Sequence, residues 1–464
     1  MLEWEPMKAT RRKFIKTGVS LGVGLSVAQI CGKSFAQKDR PNILLILVDQ
    51  DRYPAHTPPL NRPTLDRLKK NGLEFKNAFC AYPLCSPSRA TILTGKYPHQ
   101  AGVLCNIDTT QKNPSLSPKI PNLATVFSGA GYQTAYFGKW HLTRRPHSSG
   151  DFKRYGFDDI KIFNQAVGFG SDQKVIGEAA QWIERQKNQA RPWLMICSVI
   201  NPHDICFPGL AKLYGEIPEY PVSVPPNFIE DAGKIYPPLA GAMAAYAKTN
   251  RVPKDETGWL EYLRFYCYLT ELIDRQLGSL LDSLQGNGQD QNTIVIYTAD
   301  HGEMGGSHGL VNKSHTMFEE TIHIPLVLNS PMLFQGARNY DGLVSHLDLV
   351  PTLAGIAGVK WPEPLMGRDL SLLACGKNAP EREMIFCEGQ GEMKSTPPWR
   401  GLRTRNWKYW HYLDGAEFLF DLQTDPGEIS NLAGGKSFQE INFEFRSKVR
   451  GFRLETQDPF KEFL

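Results

Sequence analysis

Cys85 opens the run CSPSRATILTG, which ends at Gly95. Pro87 suits the first turn of a helix, so Cys85 is placed at a helix N-terminus, where free N–H groups and the helix dipole favour an anion. Arg89 follows one turn later and faces the same side. Such a site polarises a thiol and suits a sulfate or phosphate, so Cys85 is expected to be reactive. Four other short clusters carry side chains of a related kind: Asp49-Gln50-Asp51, Gly138-Lys139-Trp140-His141, Asn201-Pro202-His203-Asp204 and Asp300-His301-Gly302-Glu303. Together they offer carboxylates, imidazoles and an ammonium, a set able to hold a small acidic substrate by local positive charge.

Each of these four clusters follows a short apolar segment rich in β-branched or aromatic residues, at 43–48, 134–137, 193–200 and 293–298. The segments read as buried parallel strands. Helical patterns at 65–71, 122–130, 176–186 and 262–285 fall between them. The predicted fold is therefore α/β: a large mixed, mostly parallel sheet sandwiched by helices. In open parallel sheets, ligands bind beyond the carboxyl ends of the strands. One charged residue after a strand is usually a solvated loop residue, but four such clusters at four strand ends point to one site.

The chain has 464 residues, 41% of them hydrophobic, and a formal net charge of +4. That length supports one large core with a smaller domain attached. Basic residues are scattered, so neither a nucleic-acid partner nor a membrane-binding face is expected. Residues 1–36 read as a twin-arginine-type signal peptide, with Arg11-Arg12, an apolar run over 18–30 and Ser34-Phe35-Ala36 before the cut. The run is too short and too rich in Gly and Ser for a stable membrane span. An exported protein, periplasmic or extracellular, beginning near Gln37, is the expectation. Nine cysteines are present with no zinc-type spacing, and their pairing is not legible. Residues 207–254, rich in Pro, Tyr and Ala, show no clean period and read as an excursion over the active edge. Beyond about Cys375 the segments 400–405, 408–412 and 417–422 look like antiparallel hairpin strands of a smaller C-terminal domain.

The run from Cys85 resembles the signature of the type I sulfatases of the alkaline phosphatase superfamily, in which a Cys followed by x-Pro-x-Arg is oxidised to formylglycine. Cys85, Pro87, Arg89, Thr94 and Gly95 match its fixed positions. The likeness extends to Asp49, the block at 138–141, Asp300-His301-Gly302, Lys313 and the run at 420–432. The resemblance implies a catalytic α/β domain over 37–375 and a C-terminal α+β subdomain over 376–464.

It also implies a nucleophile made from Cys85 as a hydrated aldehyde, steadied with the sulfate by Arg89 and Lys139. Lys313 would hold sulfate oxygens, His141 would help activate the diol, and His203 would protonate the leaving alcohol. Lys139, His203 and Lys313 would thus also bind substrate. Metal ligands carry over as Asp49, Gln50, Cys85, Asp300 and His301, with calcium as the expected ion and manganese or magnesium as alternatives. The commonest pattern has Asp at the Gln50 position and Asn at that of His301, so this chain departs from it twice. Implied partners are a sulfated small molecule or glycan and a formylglycine-generating maturation enzyme. Two other readings stay open here: a phosphonate or phosphate ester hydrolase of the same superfamily, and a non-catalytic binder of sulfated glycans. His56, His99, His308, His315 and His346 are expected to be hydrogen-bonded structural residues, and Arg144-Arg145 either grips an acidic sugar or lies in a solvated loop.

Overall fold

The computed structural model describes residues 40–107, 114–144, 152–163, 166–313, 315–379, 381–391 and 396–460. The expected signal with Arg11 and Arg12, the cut near Gln37, and Arg145 lie outside these residues.

The first strand, β1 (Asn42–Asp49), is buried along its whole length. Its residues alternate between two cores: Ile43, Leu45 and Leu47 enter one, while Leu44, Ile46 and Val48 enter the other. A strand apolar on both faces has to lie inside a sandwich. β1 is central in an eight-stranded sheet whose order is β4-β3-β5-β1-β6-β7-β2-β8. Here β2 is Gly72–Phe79, β3 is Gln133–Gly138, β4 is Asp159–Lys161, β5 is Trp193–Pro202, β6 is Thr293–Ala299, β7 is Leu326–Asn329 and β8 is Arg338–Ser345. β1 pairs parallel with β5 and β6, and β3 pairs parallel with β4 and β5. β7 alone runs antiparallel to its neighbours, β6 and β2. The sheet is thus mixed and mostly parallel.

Helices cover both faces. Asp172–Arg185 and the long Glu256–Gly286 bury Val175, Trp182, Ile273 and Leu277 on one side. Cys85–Thr94, Leu123–Gly129 and Leu349–Ala357 bury Ile92, Phe127 and Leu353 on the other. The four anticipated strands are β1, β3, β5 and β6. The other four escaped because β4 is three residues long and β2 and β8 interleave charged residues with apolar ones. The segment 207–254 is also more ordered than its lack of period suggested. Pro237–Ala247 forms a helix that starts on two prolines, and Tyr246 packs with Trp259, Tyr262 and Phe265 of the long helix.

A second, four-stranded antiparallel sheet has the order β12-β11-β10-β9, with β9 (Met384–Gly389), β10 (Trp399–Thr404), β11 (Trp407–Tyr412) and β12 (Glu417–Asp421). The three hairpin strands match expectation, and β9 adds a fourth. The helix Gln439–Thr456 seals one face by burying Phe445 and Val449 against Leu402, Tyr409 and Leu419. Among the described residues, no helix is long and apolar enough to cross a membrane.

Candidate active site

Because β3, β5, β1 and β6 are parallel neighbours, their carboxyl ends share one edge. Asp49 ends β1, Lys139 follows β3, His203 follows β5 and Asp300 follows β6. β2 points the same way, being antiparallel to β7, itself antiparallel to β6. It therefore delivers Cys85 to that edge, through residues 80–84. Cys85 is the first residue of its helix, and Gly95 ends the helix in the left-handed conformation, its N–H donating to the Thr91 carbonyl at 2.8 Å. All ten helical residues are buried.

Cys85 Sγ lies 3.2 Å from His301 Nε2, 3.8 Å from Asp49 Oδ1 and 4.0 Å from Lys139 Nζ. Burial pushes the thiol up to about 12, and the Asp49 charge adds to the shift against the opposing ammoniums of Lys139 and Lys313. Desolvation and the Asp49 carboxylate thus work against the thiolate that a helix N-terminus favours.

Arg89 was expected on the nucleophile and the sulfate. In the ligand-free site its guanidinium ties two strand ends together, donating to Asp49 Oδ2 and Asp300 Oδ2, each at 2.9 Å, and to the Lys139 carbonyl and Ser198 Oγ. Lys139 Nζ adds a 2.6 Å ion pair to Asp49 Oδ2. Burial works to raise the Asp49 pKa, but the charges of Lys139, His203 and Arg89 prevail and hold it well below the usual carboxylate range. Asp300 Oδ1 accepts from the N–H groups of Gln50 and His301, both at 3.0 Å.

The remaining valences point inward. Asp49 Oδ1 has the Cys85 sulfur at 3.8 Å and His301 Nε2 at 3.9 Å. His301 Nδ1 donates to the Gly302 carbonyl at 2.9 Å, which leaves the Nε2 lone pair facing Cys85 and the two aspartates. Burial lowers the pKa of this imidazole, keeping it neutral. One ligand atom from each of Asp49, Cys85, Asp300 and His301 lies within 4.8 Å of the others. Two carboxylates, a neutral imidazole and the group at position 85 fit a divalent cation.

Gln50, the fifth expected ligand, is differently engaged. At a φ of 70° its backbone turns out of the strand. Its amide oxygen then accepts from Lys313 Nζ and from Cys206 Sγ at 3.3 Å, while its amide nitrogen donates to Glu303. Lys313 also lies 3.5 Å from Cys206 Sγ. His141 and His203 are half-buried, and burial followed by the Lys139 charge holds both imidazoles well below their ordinary pKa. Both couple electrostatically to Asp49 and Lys313. All the expected residues thus gather at one edge. Asp51 turns away to pair with Arg62 at 2.6 Å and to accept from Tyr297.

His56, His99, His308 and His315 have local partners, as expected: His323, Glu388, Asn227 with a stacked Phe318, and Tyr246 with Thr396. His346 is closer to the chemistry. Its ring nitrogens meet Ser88 Oγ and the Ala299 carbonyl, and Ser88 Oγ donates to the Asp300 carbonyl. The fully buried Glu303, whose proximity to His301 was its only signal, accepts from Gln50, Tyr262 and the N–H groups of Gly305 and Asn312. Ser88, Ser198 and Cys206 carried no signal, since only the fold brings them near the site.

A helix N-terminus at a parallel sheet edge, joined there by two carboxylates, two lysines and an open imidazole, defines a hydrolase centre of the alkaline phosphatase superfamily. The chain belongs to the sulfatase family, whose model matches residues 41–359. A second model, for the C-terminal part of N-sulphoglucosamine sulphohydrolase, matches residues 306–455. The chain is 28% identical to the Delta 4,5-hexuronate-2-O-sulfatase of Bacteroides thetaiotaomicron over 457 residues, covering 93% of this chain and 92% of that protein. It is also 28% identical to the Ulvan-active sulfatase of Formosa agariphila, covering 92% of this chain and 84% of that one. A solved 2-O GAG sulfatase matches with a TM-score of 0.75 at 27% identity, covering 90% of this chain and 93% of that one.

Proposed function

We propose that this sulfatase hydrolyses a sulfate ester on a carbohydrate, with Cys85 oxidised to formylglycine and a divalent cation held by Asp49, Asp300 and His301. The observation that carries the reading is the inward convergence of Asp49 Oδ1, His301 Nε2 and Cys85 Sγ, beside two lysines. Burial and Asp49 disfavour the thiolate at position 85, and a protonated sulfur is a weak nucleophile, which supports a different nucleophile there. When present, the hydrated aldehyde supplies the attacking hydroxyl and the cation neutralises charge on the sulfuryl group.

The chain's own residues then have separable tasks. Arg89 and Lys139 fix the Asp49 carboxylate, and Arg89 also fixes Asp300. Lys313, steadied by Gln50, directs an ammonium to sulfate oxygens. His141 assists the nucleophile. His203 is neutral in the ligand-free site because burial, Lys139 and Lys313 disfavour its charge. An entering sulfate offsets those two ammoniums, so the ring gains affinity for the proton that it passes to the leaving alcohol. Calcium suits the two carboxylates best, and the imidazole leaves manganese and magnesium as competitors.

We assign catalysis to residues 37–375 and the C-terminal subdomain to 376–464. Export follows the twin-arginine-type signal over 1–36 and maturation requires a formylglycine-generating enzyme. A carbohydrate substrate is supported by relatives named for hexuronate, ulvan and GAG sulfates. The test combines mass spectrometry of the peptide spanning Cys85 with sulfate release from a panel of sulfated saccharides, aryl sulfates and phenyl phosphonates. Active enzyme should carry a sulfur-free aldehyde at position 85 and prefer a sulfated saccharide. Full activity with intact cysteine would refute the nucleophile, and a preference for phosphonate would refute the substrate class.

A further inference from the structure

Arg251 lies in the excursion between β5 and the long helix Glu256–Gly286. Its guanidinium carbon stands 4.6 Å from the centre of the Phe207 ring. Phe207 closes the short helical turn that begins at His203, and the two rings are 6.1 Å apart, centre to centre. The backbone anchors both partners. The Phe207 N–H donates to the Asp204 carbonyl at 2.9 Å, and that of Arg251 to the carbonyl of the buried Tyr246 at 3.1 Å. Asp204 is itself clamped by the N–H groups of Gly168 and Phe169 and by the Tyr214 hydroxyl. The guanidinium is therefore held within the span of a disaccharide from the imidazole proposed to meet the leaving alcohol.

Among the described residues this cation has no counter-charge. Arg251 is half-exposed and, among the described residues, no carboxylate lies within ion-pair distance of it. Arg264, within the long helix, pairs with Glu219 of the excursion at 2.9 Å. Arg62 and Arg382 pair with Asp51 and Asp348. A guanidinium lying on an aromatic face keeps its in-plane N–H fork available, and that fork matches a carboxylate or a sulfate in bidentate geometry. On the His203 ring, 6.1 Å from that of Phe207, Nδ1 is buried and finds no hydrogen-bond partner among the described residues.

We propose that Arg251, seated on Phe207, forms an anion subsite beside the scissile position and takes a second anionic group of the saccharide, a carboxylate or another sulfate. The proposal rests on the reading of the chain as a sulfatase of carbohydrates, and binding rather than turnover tests it. The probes are a singly sulfated uronate–glucosamine disaccharide, its carboxyl-reduced form and its doubly sulfated form. Each is titrated calorimetrically into Cys85→Ala protein with and without Arg251→Ala. Loss of one charge-assisted bidentate contact should weaken binding of the recognised form by roughly tenfold to a hundredfold more than that of its counterpart lacking the anion. Arg251→Lys should restore only part of that difference, because it keeps the charge and loses the fork.

An effect that disappears on carboxyl reduction identifies a carboxylate, and one that appears only with the second sulfate identifies a sulfate. Equal changes for all three probes, or no change, would overturn the subsite. If unmodified-sequence enzyme released no sulfate from these probes while binding still depended on Arg251, the hydrolysis reading would fall and the subsite would stand. If sulfate were released while binding was indifferent to Arg251, the subsite would fall and hydrolysis would stand.

Discussion

Two buried clusters in this protein have almost the same charge inventory. At the active edge, Asp49 and Asp300 meet Arg89 and Lys139. Between the two sheets, Glu319 and Glu428 meet Arg403 and Lys408. In the second cluster the carboxylates face cations rather than one another: Glu319 lies within ion-pair distance of Lys408 and Arg403, and Glu428 within that of Lys408 at 2.7 Å, though without hydrogen-bond geometry, while its other oxygen accepts from the Glu319 N–H. At the active edge, Asp49 Oδ1 and His301 Nε2 are turned instead toward a shared centre with Cys85. Burial and charge alone therefore do not mark a site. Unspent valence that converges does.

Substitution separates the two clusters. The largest effect is expected for Cys85→Ala, which should abolish sulfate release while leaving the melting temperature within a few degrees, since it deletes one sulfur from a helix otherwise intact. Asp300→Asn, or chelation of the metal, should lower kcat by about a hundredfold to a thousandfold with a smaller change in KM. Chelated enzyme that kept its full rate would remove the cation from the mechanism. Lys408→Met should do the reverse. It strands Glu319 and Glu428 in the interior and should cost about 3 to 5 kcal/mol of stability, measured by denaturant unfolding, with kcat of the folded fraction within roughly twofold. A Lys408 variant that was stable yet inactive would erase the distinction.

The smallest effect is the response to acid. Burial lowers His323 and His346 to about 3 and His315 to about 4. In the unfolded chain these imidazoles take up protons near pH 6.5, whereas the folded protein holds them neutral, so stability is full above that pH and declines as it falls toward 3. Each contributes about 1.4 kcal/mol per pH unit within that window. His323→Gln, beside the ion network, should shallow the decline without altering kcat. Unfolding curves between pH 7 and 4 check the slope, and a flat profile would contradict the buried neutral imidazoles.

The active edge was largely legible because its residues follow strands that are apolar on both faces, and such strands announce themselves. Asp49, Lys139, His203 and Asp300 inherit their positions from β1, β3, β5 and β6. Cys85 is harder to place from pattern alone, since β2 mixes Glu74, Lys76 and Asn77 with apolar residues. The contacts of Arg89 were not legible, for a physical reason. A helix position tells which side a guanidinium faces, while its partners depend on strands far away in sequence. The same holds for the excursion: Pro237–Ala247 has no helical stripe of its own, and its order comes from packing on the long helix.

Cys85 retains only 1% of its accessible surface, inside a helix buried at every position. An enzyme that modifies this residue needs the segment unpacked from the core, before the helix docks. Under the oxidation of Cys85 proposed above, modification and folding would be in a race, decided molecule by molecule. A copy that folds first keeps its thiol for as long as it stays folded. On that proposal the specific activity of a preparation would record how quickly each nascent chain was intercepted, and later addition of the modifying enzyme to folded protein should leave it unchanged.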